Sequence, residues 1–351
     1  MVAETLVCSD CFHDEGLRLD AKVIGTPDNN ICPNCGSTNG SKLNRDMLAS
    51  LAHRFFVWGS LAKTEYGAAP LVQFNEHQQT SIKVSPWLEP DLRLIEKELS
   101  VGFFRYGPRL WMIGEVEPLK ALRTPTAISP VVERILRDYP TTNIMADDAF
   151  YRLRKFPSLP ADDSEYDSPP IALAGSGRLD SKGFPVLYAS PDLQVCIHEC
   201  RVTAEDDLYV ATLAVTSSLR LLDLSVLLSD EKVNEFESLD IAVNMLFLAA
   251  AHSYPITRNI ALAARSAGFD GLVYPSYFSL LRTGTMPFET AYGISQRRIP
   301  SLKAYEQAKT IPNLAIFGRP IAEKKVVVRS INKLILHHVD YGVHFGQVSV
   351  D

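Results

Sequence analysis

Gly175–Glu199 reads GSGRLDSKGFPVLYASPDLQVCIHE, and three signals meet in it. Gly175, Gly177 and Gly183 crowd around one basic residue, Arg178. Glycines let a backbone approach a ligand closely, and an arginine fork makes paired hydrogen bonds to phosphate oxygens. Phe184-Pro185-Val186-Leu187-Tyr188 then reads as a strand. Ser190-Pro191-Asp192 reads as a helix start, with Ser190 the expected N-cap and Pro191 the first helical residue. Leu193, Cys196 and Cys200 fall on the core-facing side of that helix, with Glu199 beside them. A helix N-terminus behind a glycine turn suits an anion, and a carboxylate further along suits a developing cation. The same residues also fit a glycine-rich surface turn and a half-buried structural glutamate, since glycine turns alone are weak signals.

The order of motifs outward from this stretch is more specific. Phe150-Tyr151-Arg152-Leu153 precedes it as an aromatic-Arg strand. Gly268-Phe269-Asp270-Gly271-Leu272-Val273 leads into Tyr274-Pro275-Ser276, and Asn313-Leu314-Ala315-Ile316-Phe317 follows. With Gly177-Arg178, Tyr188-Ala189-Ser190 and Glu199, this set resembles the RES domain, from about residue 148 to 351. The resemblance implies an α+β fold: an ADP-ribosyltransferase-like mixed β-sheet core with helices, preceded here by a zinc ribbon and a mostly helical middle segment. The division expected is 1–40 zinc ribbon, 41–145 helical or mixed extension, and 146–351 RES domain.

Composition bounds the rest. The chain has 351 residues, 46% apolar and 22% charged, as in ordinary globular proteins. A net charge of −6 gives no support to nucleic-acid wrapping or membrane adhesion. The start, MVAETLVCSDC, shows neither a basic region nor a long apolar core, so a cytoplasmic protein is expected. Six cysteines then read as metal ligands and free thiols. Cys8-x-x-Cys11 and Cys32-x-x-Cys35, with twenty residues between the knuckles, match zinc-ribbon spacing. Four thiolates close a tetrahedral site, so the expected zinc is structural. So short a segment could scarcely fold without it.

Elsewhere, Arg45 to Lys63, Asp91 to Ser100 and Ser129 to Tyr139 read as helices, and Pro108 to Glu115 as a strand. This middle segment loosely resembles extensions joined to some RES domains in bacterial defence and toxin contexts. His53, Arg54 and His77 are weak candidates there. The acidic run 161–167 reads as a surface loop between prolines. Later strands are expected at 208–215, 219–224, 272–274, 325–328 and 333–339, with an edge at 341–350. Helices are expected at 238–251, apolar on most faces and so buried, and at 257–267. Residues 276–312, with Arg282, Thr283 and Gly284, form an excursion longer than the family's spacing. Cys196 and Cys200 share a helix face from which His198 is turned away, so the trio does not converge, and the two cysteines read as buried thiols rather than metal ligands.

The resemblance implies an enzyme acting on NAD, of the kind found in toxins and defence effectors. Glycohydrolase, phosphorylase and protein ADP-ribosyltransferase begin alike: the nicotinamide–ribose bond breaks and an oxocarbenium-like centre develops at C1′. Glu199 would stabilise that charge, Arg178 would hold pyrophosphate or ribose, and Ser276 would orient ribose or carboxamide. Tyr188 would offer a ring to nicotinamide, with Arg152, Gly177 and Asn313 in the same cleft. A neutralising antitoxin or other regulatory protein and a homo-oligomer are compatible partners. The alternative of another class is a non-catalytic module that binds a nucleotide or a partner. Retention of the glutamate favours the enzyme, because a pure binder has no need of it.

Overall fold

The structure is a computed structural model that describes residues 4–107, 110–228, 233–279, 283, 288, 290–291, 294–339 and 342–348. Its contacts group into two compact units. One comprises Met1–Thr64, Ala68–Ile113 and Asp340–Asp351; the other comprises Glu65–Gly67 and Gly114–Val339. The α+β class expected from the sequence stands.

In the first unit the strand Thr5–Cys8 pairs antiparallel with Lys42–Asn44, and the helix Glu15–Ile24 lies between them in sequence. Helices Arg45–Ala52 and Glu89–Leu99 and the paired strands Val72–Asn75 and Gly102–Arg105 also belong to it. The expected helix 45–63 stops early, passing through a π turn at His53–Val57 and a 3₁₀ turn at Trp58–Ser60. Ser60 Oγ donates to the Val57 carbonyl and accepts from the amides of Leu71 and Val72, which turns the chain away from helix. The strand expected at 108–115 is instead a 3₁₀ turn over Leu110–Ile113. Among the described residues, 342–348 form no edge strand. They lie along the first unit, with the Phe345 amide donating to Asp20 and Gly346 against Gly59.

In the second unit α1 (Glu117–Leu122) and α2 (Ile128–Asp138) come first. The strands of its two larger sheets are β1 (Thr141–Ile144), β2 (Phe150–Lys155), β3 (Val186–Ala189), β4 (Leu208–Val215), β5 (Leu219–Asp223), β6 (Gly271–Pro275), β7 (Pro312–Phe317) and β8 (Val326–Leu334), and Thr290–Ala291 pairs separately with Ile294–Ser295. Among the described residues, further α-helices are α3 (Leu193–Glu199), α4 (Leu239–Leu248), α5 (Tyr254–Ser266) and α6 (Pro300–Ala308). Five strands form one sheet in the order β1-β5-β6-β7-β3, parallel only between β5 and β6. A second, antiparallel sheet runs β8-β4-β2. A bridge from Tyr151 to Ser190 links the two sheets.

Strand periodicity decides what points where. Leu187, Ala189, Val273, Leu314 and Ile316 meet Phe150, Ala211 and Leu213 in the core between the sheets. The intervening residues therefore face the other way. Tyr274 pairs with Asn313, and Tyr188 with Ala315, so Tyr188, Tyr274 and Asn313 share the opposite face of the five-stranded sheet. On that face α4 is buried continuously from Leu239 to Phe247, which explains its all-round apolar sequence. The two strands expected at 325–328 and 333–339 are one strand, β8. Its register shifts opposite Thr212 and Leu213, and the largely exposed polar residues Arg329, Ser330 and Asn332 interrupt the apolar pattern without interrupting the pairing. Helix α5 begins at Tyr254 rather than Thr257. Arg282, Gly284 and Tyr341 lie outside the described residues.

The acidic run does not behave as a simple surface loop. Tyr166 and Asp167 are buried, and Asp167 accepts from the amides of Ser168, Ile321 and Ala322. Its carboxylate is consumed in fixing the turn before β8.

Candidate functional site

The cleft lies on the helix-covered face of the five-stranded sheet, with a volume of about 620 Å³. Such a volume suits a sizeable small-molecule ligand. Glu199, Ser276 and Asn313 converge there. Glu199 ends α3, whose N-cap is Asp192, not the expected Ser190; Asp192 Oδ1 accepts from the amides of Gln194 and Val195. Glu199 Oε1 accepts from Ser276 Oγ at 2.8 Å and from Asn313 Nδ2 at 2.6 Å. Ser276 and Asn313 are buried, whereas Glu199 is exposed to the cleft. One carboxylate oxygen is thus fixed by two donors from neighbouring strands. The other has no protein partner among the described residues and is left to face a ligand. Ser276 Oγ in turn accepts from the Phe278 amide, which holds the hydroxyl proton toward Glu199.

The glycine-arginine turn proves to be a brace. Tyr188 Oη accepts from the amides of Leu179 and Asp180 and donates to Asp180 Oδ1. Burial, then the Asp180 charge, pushes the phenol well above its ordinary pKa, so it stays a donor. Burial acts to raise the Asp180 carboxyl, but amides such as that of Gly175, together with Tyr188, outweigh it and hold it below the usual range. A Cβ on Gly177 would stand 2.2 Å from Asp180 Oδ1 and 2.9 Å from Tyr188 Oη. Gly177 is therefore required by the approach of this pair. Gly177→Ala is expected to cost about 1–3 kcal/mol, as overpacking does, read as a lowered denaturation midpoint; an unchanged midpoint would refute the brace.

Arg178 does not offer an uncommitted fork to a phosphate. Its Nη1 donates to the Leu246 carbonyl and its Nη2 to the Ala249 carbonyl, at the C-terminal end of α4. It also lies over the rings of Phe247 and Tyr254. These carbonyls are the orphan acceptors of a helix end. Arg178→Ala is expected to destabilise the fold by about 1.5–3 kcal/mol, the range for hydrogen bonds to a charged group. A variant that melts like the wild type would show that the contact contributes nothing.

Arg152 lines the cleft but is buried. Its Nη1 donates to the Tyr188 carbonyl and its Nη2 to the Asp167 carbonyl. Burial pushes its guanidinium down to about 9, still cationic at neutral pH. Sequence reasoning missed Asp180, Thr257, Arg258 and Tyr274. Thr257 Oγ1 donates to the Arg178 carbonyl, and the Arg258 fork donates to the Gly177 carbonyl, so α5 clamps the turn. Tyr274 stacks on Phe247 at 5.0 Å between ring centroids. The β-strand alternation around Asn313 and Tyr274 was the one sequence signal that could have paired them. Cys196 and Cys200 lie toward the carbonyls of Tyr151 and Leu153, and burial raises both thiols. His198 stacks on Phe278. Among the described residues they form no metal-ligating group with one another.

The RES domain family model matches residues 149–292. This chain carries a RES domain. The matched segment contains Glu199 and Ser276, and β7 beyond it adds Asn313 to the RES-domain cleft. Among solved structures, one match is a chain of the crystal structure of the M. tuberculosis MbcT-MbcA toxin-antitoxin complex. It is 17% identical, and the alignment covers 58% of this chain and 91% of that chain with a TM-score of 0.32. No curated protein gives a significant match. Among the described residues no helix is long and apolar enough to cross a membrane.

In the first unit, Cys8, Cys11, Cys32 and Cys35 present their sulfurs within 4.8 Å of one another. Adjacent sulfurs stand at 3.5, 3.6 and 3.9 Å. A zinc ion bound to four thiolates at about 2.3 Å sets tetrahedral edges of roughly 3.8 Å, so the four cysteines fit it. Asn34 Nδ2 donates to Cys11 Sγ, a second interaction that orients a ligand sulfur. His13 stands apart, held by the buried Asp91. The candidates His53 and His77 form no metal-ligating cluster among the described residues.

Proposed function

We propose that the RES-domain unit cleaves the nicotinamide–ribose bond of NAD. The supporting observation is the carboxylate of Glu199, oriented through one oxygen by Ser276 and Asn313 and open to the cleft through the other. A fixed anion beside C1′ favours the cationic transition state over the ground state, and that differential is what lowers a barrier. The C1′–N bond breaks with its electron pair leaving on neutral nicotinamide. An acceptor oxygen then bonds to C1′ and loses its proton to solvent. The rings of Tyr188, Tyr274 and Phe247 supply apolar walls, while Arg178 and Gly177 keep the wall in place rather than hold phosphate directly. The four-cysteine site holds zinc as a structural ion, and a neutralising protein that fills the cleft fits the same reading.

Purified protein incubated with NAD, with and without inorganic phosphate, tests this. ADP-ribose as product marks hydrolysis, ADP-ribose phosphate marks phosphorolysis, and labelled protein marks transfer. NAD recovered intact at high enzyme concentration would remove the enzyme reading and leave the binding-module alternative.

A further inference from the structure

We infer that Arg201 is the residue of the cleft that takes a phosphate group, an inference that rests on the NAD reading for its substrate. Three cations line the cleft: Arg152, Arg178 and Arg201. Arg152 is buried with its fork on two carbonyls, and Arg178 is committed to the end of α4. Arg201 is exposed, and its side chain has no partner among the described residues. Among the described residues, the only carboxylate lining the cleft is Glu199, two residues before it.

The backbone supplies an independent argument. Arg201 is left-handed, with φ +47°, directly after the last turn of α3. A side chain other than glycine is strained there, and such strain collects at functional sites. The conformation is held by the Arg201 amide donating to the His198 carbonyl and by Lys155 Nζ donating to the Arg201 carbonyl. Lys155 is itself paired with Asp206 at 2.8 Å, so it does not compete for an anion. The left-handed turn ends the helix and leaves Arg201 in the wall of the cleft that Glu199 also lines. An arginine fork there matches phosphate oxygens in a bidentate way. The phosphate belongs either to the pyrophosphate of NAD or to free inorganic phosphate acting as acceptor.

Arg201→Gly is the test variant, because glycine adopts the left-handed conformation without strain and removes only the side chain. Wild type, Arg201→Gly and Arg201→Lys are titrated calorimetrically with inorganic pyrophosphate and with inorganic phosphate. They are also assayed for NAD consumption over a range of phosphate concentrations. Arg201→Gly is expected to weaken binding of the recognised anion about 10- to 100-fold, the loss of one charged hydrogen-bond partner, with partial rescue by Lys. A raised KM for NAD at unchanged phosphate dependence assigns the contact to the substrate. A lost phosphate dependence at unchanged KM assigns it to the acceptor. Anion affinities, KM and phosphate dependence all at wild-type values in Arg201→Gly overturn the inference. If the wild type consumes no NAD but loses pyrophosphate affinity on this substitution, the NAD reading falls and Arg201 stands. A wild type that binds neither anion and consumes no NAD overturns both.

Discussion

Glu199→Gln should lower the turnover of NAD by roughly 10²–10³, the effect of losing one preorganised electrostatic group. Gln keeps the size of the side chain, and its carbonyl oxygen can still accept from Ser276 Oγ and Asn313 Nδ2. What it loses is the charge, which matters only when C1′ becomes cationic. NAD affinity is therefore expected to survive, and the melting temperature to change little, because Glu199 is exposed. A pre-steady-state assay separates these quantities. If the Gln protein consumes NAD at the wild-type rate, the carboxylate does not stabilise the transition state and the mechanism fails.

Removal of the proposed zinc should have the largest effect on stability. Structural zinc in small ribbons contributes an apparent 10–16 kcal/mol at neutral pH, against a total of about 5–15 kcal/mol for a whole domain. Cys8, Cys11 and Cys32 belong to the same buried cluster as Leu48, Leu51, Phe55, Phe56, Ile95 and Phe103. Chelation is therefore expected to unfold the first unit as a block and not only residues 1–40. The chain's tryptophans, Trp58, Trp87 and Trp111, all lie in that unit, so their fluorescence reports on it selectively. Trp58 packs edge-on against His53 and His344, and its emission should change as those contacts are lost. Metal analysis should give one zinc per chain. Absence of zinc in a freshly purified reduced sample, or zinc loss with unchanged emission, would falsify the assignment.

The sequence was most legible where chemistry forces spacing. The CxxC knuckles carried the cysteine cluster, because two thiolates from one turn need that separation. The RES-like motifs carried Glu199, Ser276 and Asn313 as candidates, but not their hydrogen bonds, which depend on strand register across β6 and β7. The structural bonds of Arg178 were not legible. A fork beside glycines signals a phosphate ligand, yet its acceptors are carbonyls at 246 and 249, and nothing local marks carbonyl acceptors. Trp111 and Ile113 alternate as in a strand, but the stretch is too short to distinguish that from a 3₁₀ turn. The fold of the first unit was illegible for another reason. It draws residues from both sides of a long insertion, and no composition shift announces a discontinuous unit.

The wide separation of the residues around Glu199 has a kinetic consequence. Ser276 and Asn313 lie 77 and 114 residues from it in sequence. Contacts of such span must close large loops before they return any energy, and they form late and slowly. A growing chain that has reached α3 already contains the carboxylate but has neither donor to aim it. The amide of Asn313 arrives only with β7, which must insert between β6 and β3 to complete the five-stranded sheet. Assembly of the carboxylate's cradle is thereby tied to completion of the sheet, so a half-made chain has the charge without the means to direct it.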